Sequence, residues 1–167
     1  MARNVEIKAR ASDLAAIRKE LRALGAVQSA ELTQTDTFFE VPGRRLKLRE
    51  FGDGRGELIS YVRDDQRGPK VSNYVVADVS SPDALRDALT HALGVRGVVR
   101  KRRTLFLLGQ TRIHLDEVEG LGTFVEFEVV LRDDQPEPEG HRLALELLQK
   151  LSIAEADLVD CAYIDLL

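Results

Sequence analysis

The sequence predicts an α+β protein: a closed eight-stranded antiparallel β-barrel with helices packed on its outside. Three observations carry this prediction. Eight short segments alternate apolar and polar residues at the period of a strand, and tight turns join most of them. Further stretches repeat leucine at helical spacing and so carry an apolar stripe that needs an apolar sheet surface to pack on. The strand faces opposite the apolar residues are charged. Periodicity alone does not tell inside from outside; helices covering the outside leave the charged faces lining a wide barrel, as a polar tunnel.

The elements follow in order. Val5-Glu6-Ile7-Lys8 alternates as a strand with two unlike faces. Ser12 reads as an N-cap for a helix carrying Leu14, Ile17, Leu21 and Leu24, ended by Gly25. A second strand runs from Leu32 to Val41 and turns at Pro42-Gly43. A third, Arg45 to Phe51, ends at the hairpin signal Gly52-Asp53-Gly54. Leu58 to Arg63 and Val71 to Val79 flank the polar loop Asp64 to Pro69. Ser81 with Pro82 starts a helix through Leu85, Leu89 and Leu93 to Gly94. Val98 to Leu108, Thr111 to Val118 and Thr123 to Leu131 complete the strands. An acidic linker, Asp133 to Gly140, leads to a helix bearing Leu143, Leu147 and Leu151. This order reads as an antiparallel meander that closes on itself, and the 167 residues suit one domain over 1–167.

Composition narrows the function. The chain is 44% hydrophobic, which excludes disorder throughout, and no apolar run approaches the ~20 residues that cross a bilayer. The charged N-terminus predicts no secretory signal. The single cysteine, Cys161, forms no internal disulfide and fits a reducing cytoplasm. The net charge of −4 hides an asymmetry: Arg44 to Arg112 holds 15 basic and 8 acidic residues, while the rest of the chain is strongly acidic. Of the 24 basic residues 18 are arginine, the better bidentate partner for phosphate. A basic middle in an acidic protein points to a local anion site.

The charged strand faces supply candidates for that site. Lys8, Lys47, Arg49, Arg63, Lys101, Arg103 and Arg112 provide positive charge; Glu6, Asp116, Glu126 and Glu128 provide negative charge. Basic residues alone suggest an anion, and carboxylates two apart on a strand suggest a hard cation, magnesium or manganese. Together they describe a metal-bound polyphosphate. Other residues take plainer readings. His114 sits between Arg112 and Asp116 in a structural hydrogen-bonding role, and Cys161 is a packed small apolar residue. Gly120-Leu121-Gly122 is followed by no helix or lysine and is no phosphate loop. The run Arg100 to Arg103 predicts no nucleic-acid binding, because aromatics make up only 5% of an acidic chain.

In order along the chain, Asn4-Val5-Glu6-Ile7-Lys8, Gln34-Thr35-Asp36-Thr37-Phe38-Phe39, Arg45-Leu46-Lys47-Leu48-Arg49-Glu50, Lys101 with Arg103, and Arg112 through Glu128 resemble the CYTH superfamily, the triphosphate tunnel metalloenzymes. The last stretch, with Lys70-Val71-Ser72-Asn73-Tyr74, is most similar to the class IV adenylyl cyclase branch. The resemblance implies Glu6, Glu126 and Glu128 as metal ligands, and Asp116 near a second metal or the reacting phosphate. It implies Lys8, Lys47, Arg49, Arg63, Lys70, Lys101, Arg103 and Arg112 as triphosphate-binding residues. Asp116, Arg49, Lys101 and Arg103 are then the candidate catalytic residues. Asn4 departs from the family's usual glutamate, and an amide there binds a metal more weakly. Three functions stay open: cyclisation of ATP to cyclic AMP and pyrophosphate, hydrolysis of tripolyphosphate or thiamine triphosphate, and polyphosphate binding without catalysis. A homodimer is a further implication of the resemblance.

Overall fold

A computed structural model describes residues 1–167 and shows eight strands in one closed ring. They are β1 (Ala2–Arg10), β2 (Val27–Phe39), β3 (Arg45–Glu50), β4 (Gly56–Arg63), β5 (Lys70–Val79), β6 (Val95–Leu108), β7 (Thr111–Val118) and β8 (Gly122–Val130). The helices are α1 (Leu14–Ala23), α2 (Pro82–Leu93) and α3 (Glu137–Lys150). Every neighbouring pair is antiparallel, in the order β1-β5-β4-β3-β2-β6-β7-β8. The ring is not a single meander. Two meanders, β2 to β5 and β6 to β8, join through β2 and β6, and β1 closes the gap between β5 and β8.

The helices settle which face is inside. On the outer faces of β1, β7 and β8, Ile7, Ile113, Leu115, Val125 and Phe127 are essentially inaccessible, in one cluster with Leu21 of α1 and Leu147 of α3. The opposite faces of these strands are the charged ones. Gly140 lies inside α3, where a Cβ would sit 2.7 Å from both Val5 and Leu131, so the lack of a side chain lets the helix approach the sheet. Helix α3 accordingly starts at Glu137, inside the stretch expected to be a linker.

Other boundaries also differ from expectation: β2 ends at Phe39 rather than Val41, β4 starts at Gly56 rather than Leu58, and β6 at Val95 rather than Val98. The cap of α1 is Asp13 rather than Ser12: the Asp13 carboxylate accepts a 2.9 Å hydrogen bond from the Ala16 amide, an interaction of about 1 kcal/mol. Strand β2 starts at Val27, five residues before the apolar pattern begins, because β6 is equally long and pairs with it from Val27 opposite Leu107. The polar run Gln28 to Glu31 is held by the partner's ladder and not by burial.

Residues 158–165 fold back onto the barrel. Leu158 bridges Ala9, and the Val159 amide donates to the Lys8 carbonyl. A 3-10 turn at Tyr163–Asp165 follows. Val159, Ala162, Tyr163 and Ile164 pack on the inward residues Phe38, Val99, Val118 and Phe124. The interior is therefore not polar throughout: an apolar plug fills one end. Gly97 makes room for it, since a Cβ there would meet Ile164 at 2.5 Å.

Candidate active site

Inside the ring lies a cavity of about 390 Å³. Period-2 alternation turns Asn4, Glu6 and Lys8 of β1 into it, and cross-strand register places Glu6 opposite Glu128 and Lys8 opposite Glu126 of β8. The same rule brings in Lys47 and Arg49 of β3, Arg63 of β4, Lys101 and Arg103 of β6, and Arg112 of β7. Seven basic side chains face five carboxylates there. The β4–β5 wall is different in kind: Ile59, Tyr61, Tyr74 and Val76 give it an apolar and aromatic surface.

Three charge networks organise the polar walls. In the first, Asp36 of β2 accepts from Lys47 at 2.9 Å, from Arg49 at 2.8 Å through two nitrogens, and from Lys101 at 3.0 Å. Burial alone would push the Asp36 carboxyl up, but Arg49, Lys101 and Lys47 together hold it well below the usual carboxylate range. Burial and the neighbouring arginines push the Lys47 ammonium down to about 8 and that of Lys101 down to about 7, with Asp36 opposing both shifts.

The second network centres on Asp116. Arg103 binds it bidentately at 2.7 and 2.6 Å, and the Tyr163 hydroxyl donates at 2.7 Å. Arg103 also reaches Glu126 at 3.3 Å, which pairs with Lys8 at 3.4 Å and His114 at 3.2 Å. Burial acts to raise the Glu126 carboxyl; Lys8, the His114 hydrogen bond and Arg103 hold it well below its ordinary value. The Tyr163 ring lies 4.0 Å from the Lys8 ammonium, a cation–π contact from the plug to the polar wall.

The third set is two pairs, of which Arg112–Glu128 is nearer solvent. Arg63 donates to Glu6 at 2.8 Å, while Arg112 pairs with Glu128 at 2.9 Å and reaches the Tyr74 hydroxyl at 3.3 Å. Glu6 is shifted upward by burial, against Arg63, with Glu128 and Glu126 adding repulsion. Carboxylates crowded this way accommodate a cation. The Asn4 amide oxygen, buried beside them without a hydrogen-bond partner, adds a neutral donor of the same hard type. Ligand atoms of His114, Glu126 and Glu128 also lie within 4.8 Å of one another. Glu126 and Glu128, with His114, are thus close enough to share a divalent metal, and Glu6 and the Asn4 oxygen line the same cavity.

Two expected site residues stand elsewhere. Lys70 does not line the cavity; its ammonium donates to the carbonyls of Gln66, Val159 and Asp160, which fastens the returning chain. Asp116 is completely buried behind Arg103 and does not reach the cavity either, since Arg103 and Tyr163 occupy its oxygens. His114 has the hydrogen-bonding position expected of it, and Cys161 lies against the plug. Asp36 and Tyr163 were missing from the expected set. Asp36 is marked only by its pairing with β3 and β6, and nothing in the pattern marks Tyr163.

The sequence profile of the CYTH domain matches residues 2–163. The chain belongs to the CYTH domain family. Adenylate cyclase CyaB from Aeromonas hydrophila is 25% identical over 168 residues, covering 95% of this chain and 85% of that protein. Among solved structures, the PH1012 protein from Pyrococcus horikoshii OT3 superposes with a TM-score of 0.89 at 26% identity, covering 98% of this chain and 99% of that one. A conserved hypothetical protein from Pyrococcus furiosus gives 0.86 at 21%, covering 98% and 99%; at that identity the likeness is one of fold. Within the CYTH family, the resemblance to the class IV adenylyl cyclase branch accords with the name of the Aeromonas relative.

Lys47 and Lys101 of this CYTH domain give a pH prediction. Their folded pKa values, about 8 and about 7, lie below the ordinary value of 10.5, so the unfolded chain binds more protons between those limits. Stability then rises with pH across that window. The melting temperature is expected to increase from about pH 7 to about pH 9, and to increase less in Lys101→Met. Equal pH slopes for the two proteins would show that Lys101 is not buried as a charge.

Proposed function

We propose that this CYTH domain is a divalent-metal-dependent enzyme acting on a linear triphosphate, with ATP as substrate and cyclic AMP and pyrophosphate as products. The observation that carries the reading is convergence: seven cationic side chains from five strands surround one cavity, with Glu6, Glu126 and Glu128 lining it from β1 and β8. No single structural ion pair needs that many. The aromatic and apolar β4–β5 wall favours a substrate with an organic part over inorganic tripolyphosphate. The relative named adenylate cyclase supports the choice of ATP.

In this reading Lys47, Arg49 and Lys101 on one side and Lys8, Arg63 and Arg112 on the other grip the phosphate oxygens. Glu6, Glu126, Glu128 and the Asn4 oxygen would hold magnesium or manganese, which would supply Lewis-acid stabilisation of charge on the phosphoryl groups. The ribose 3′-hydroxyl oxygen attacks the α-phosphorus, the bond from that phosphorus to the pyrophosphate oxygen breaks, and the hydroxyl proton passes to solvent. Arg103 is held by Asp116 in a fixed orientation and stabilises charge on the departing pyrophosphate. Cations on opposite walls fix the triphosphate at several points, and the reaction requires the hydroxyl in line with the departing pyrophosphate.

A product assay tests this. ATP, tripolyphosphate and thiamine triphosphate are each incubated with manganese or magnesium, and cyclic AMP, pyrophosphate and phosphate are resolved. Cyclic AMP with equimolar pyrophosphate from ATP is expected. Phosphate release from all three makes the domain a triphosphatase, and metal-dependent binding without turnover makes it a binding module.

A further inference from the structure

The β2–β3–β6 wall contains an imbalance that ordinary pairing does not explain. Asp36 is the one carboxylate among Lys47, Arg49 and Lys101, and it is only 1% exposed. Its place in the register is central. Asp36 stands directly opposite Arg49 on β3, while its inward neighbours along β2, Phe38 and Gln34, stand opposite Lys47 and Lys101. The carboxylate can therefore touch all three cations at once, and does so with both oxygens, at 2.8 to 3.0 Å. One cation suffices to compensate one buried carboxylate. Two more in the same low-dielectric wall repel each other and lose hydration, which opposes folding.

We propose that Asp36 is the positioning residue of this wall, a single carboxylate that keeps three cations aligned and charged for incoming phosphate oxygens. The proposal rests on the triphosphate reading of the cavity. Asp36 itself makes no contact with substrate in it; it acts through the three side chains it holds. Its two acceptor oxygens fix the Arg49 fork edge-on, leaving the remaining guanidinium nitrogen for the cavity. It also offsets the forces that deprotonate the lysines. Lys101 is faced by Asp36 from β2, by Lys47 and Arg49 from β3, by Arg103 on its own strand, and by the Tyr163 ring at 5.7 Å from the plug. Lys47 is faced by Asp36, Arg49 and Arg103, with the Phe38 and Tyr61 rings at 5.5 and 5.7 Å. Asp36 is the negative group acting on each lysine in these sets, so its removal lowers the pH at which they lose their protons.

The test is the pH profile of tripolyphosphate binding, measured by calorimetry on the full chain with metal chelated so that nothing turns over. In the wild type, affinity falls on the alkaline side as the lysines deprotonate. In Asp36→Asn the midpoint of that fall is expected to move down by about one pH unit or more, with affinity about tenfold weaker between the two midpoints. An unmoved midpoint in a folded Asp36→Asn protein overturns the proposal and leaves the triphosphate reading standing. Absence of binding of both tripolyphosphate and ATP to the wild type, with metal chelated and again with manganese restored, overturns both. Asp36→Glu guards against loss of the fold, because it keeps the charge and displaces it by one methylene. Its midpoint is expected to stay in place while affinity drops about tenfold at every pH; unchanged affinity in that variant shows that the carboxylate's position does not matter and overturns the proposal.

Discussion

Replacing Arg103 with methionine is expected to lower the stability of the protein by about 3–5 kcal/mol, the cost of leaving one partner of a buried pair alone. For a chain of this size that is a fall of roughly 6–20 °C in melting temperature. The reason is the position of Asp116, which is wholly buried and receives two of its three charge-assisted or hydroxyl hydrogen bonds from Arg103. Methionine fills much of the volume but leaves the carboxylate with the Tyr163 hydroxyl alone. Removing the carboxylate as well, in Arg103→Met with Asp116→Leu, is expected to restore most of the lost stability, since a buried pair exchanged for apolar groups is often close to neutral. Thermal denaturation of the wild type, both single variants and the double variant forms the cycle. A single-variant cost under about 1 kcal/mol, the range of surface pairs, would mean that water reaches this pair.

Glu128→Gln is expected to act on turnover with little effect on the fold. Glu128 has some solvent access, and its partner Arg112 is more than one-third exposed, so loss of the pair is cushioned by water. Glu128 nevertheless stands opposite Glu6 in the register and lines the cavity with Asn4, in the donor set proposed for the metal. Glutamine keeps the shape and removes one negative charge from a hard-cation ligand. At limiting manganese, activity should drop at least about 100-fold, more than loss of an outer-sphere partner produces, and should recover in part as metal is raised. Near-normal activity at limiting metal would remove Glu128 from the metal set. Glu126→Gln is a less clean test of the same idea, because Glu126 also balances Lys8 and Arg103.

Strand alternation made the barrel and its charged interior legible before any coordinates. A period of two states which face a side chain occupies, and the leucine stripes of α1 and α3 state which face is covered. What alternation does not carry is the neighbour across the strand. Lys70 and Asp116 have plausible spacing for the cavity, yet Lys70 meets the carbonyls of residues 159 and 160, and Asp116 meets Arg103 and Tyr163. Both outcomes depend on a segment that returns from the far end of the sequence. Asp36 shows the same limit from the other side. It sits in the polar stretch Gln34 to Thr37, where it reads as one more hydrophilic residue, and only pairing with both β3 and β6 makes it the centre of three cations. The start of β2 was hidden for a related reason, because a ladder supplied by β6 replaces the apolar signal.

The closure of the ring through β1 has a consequence for how the molecule is made. β1 pairs with residues 70–74 and again with residues 124–130, so its second partner leaves the ribosome more than a hundred residues after it does. At typical elongation rates that is on the order of 10 s, long beside the formation of any local hairpin. During that interval β1 has one edge without its mate, with Val5, Ile7 and Ala9 not yet covered by the helix and strands that bury them. An uncharged strand in that state would be a template for association with other chains. The alternating Glu6 and Lys8 resist parallel, in-register stacking of copies, because that would set like charges against each other. The side chains that give the finished cavity its charge thus also guard the nascent chain during the slowest part of its assembly.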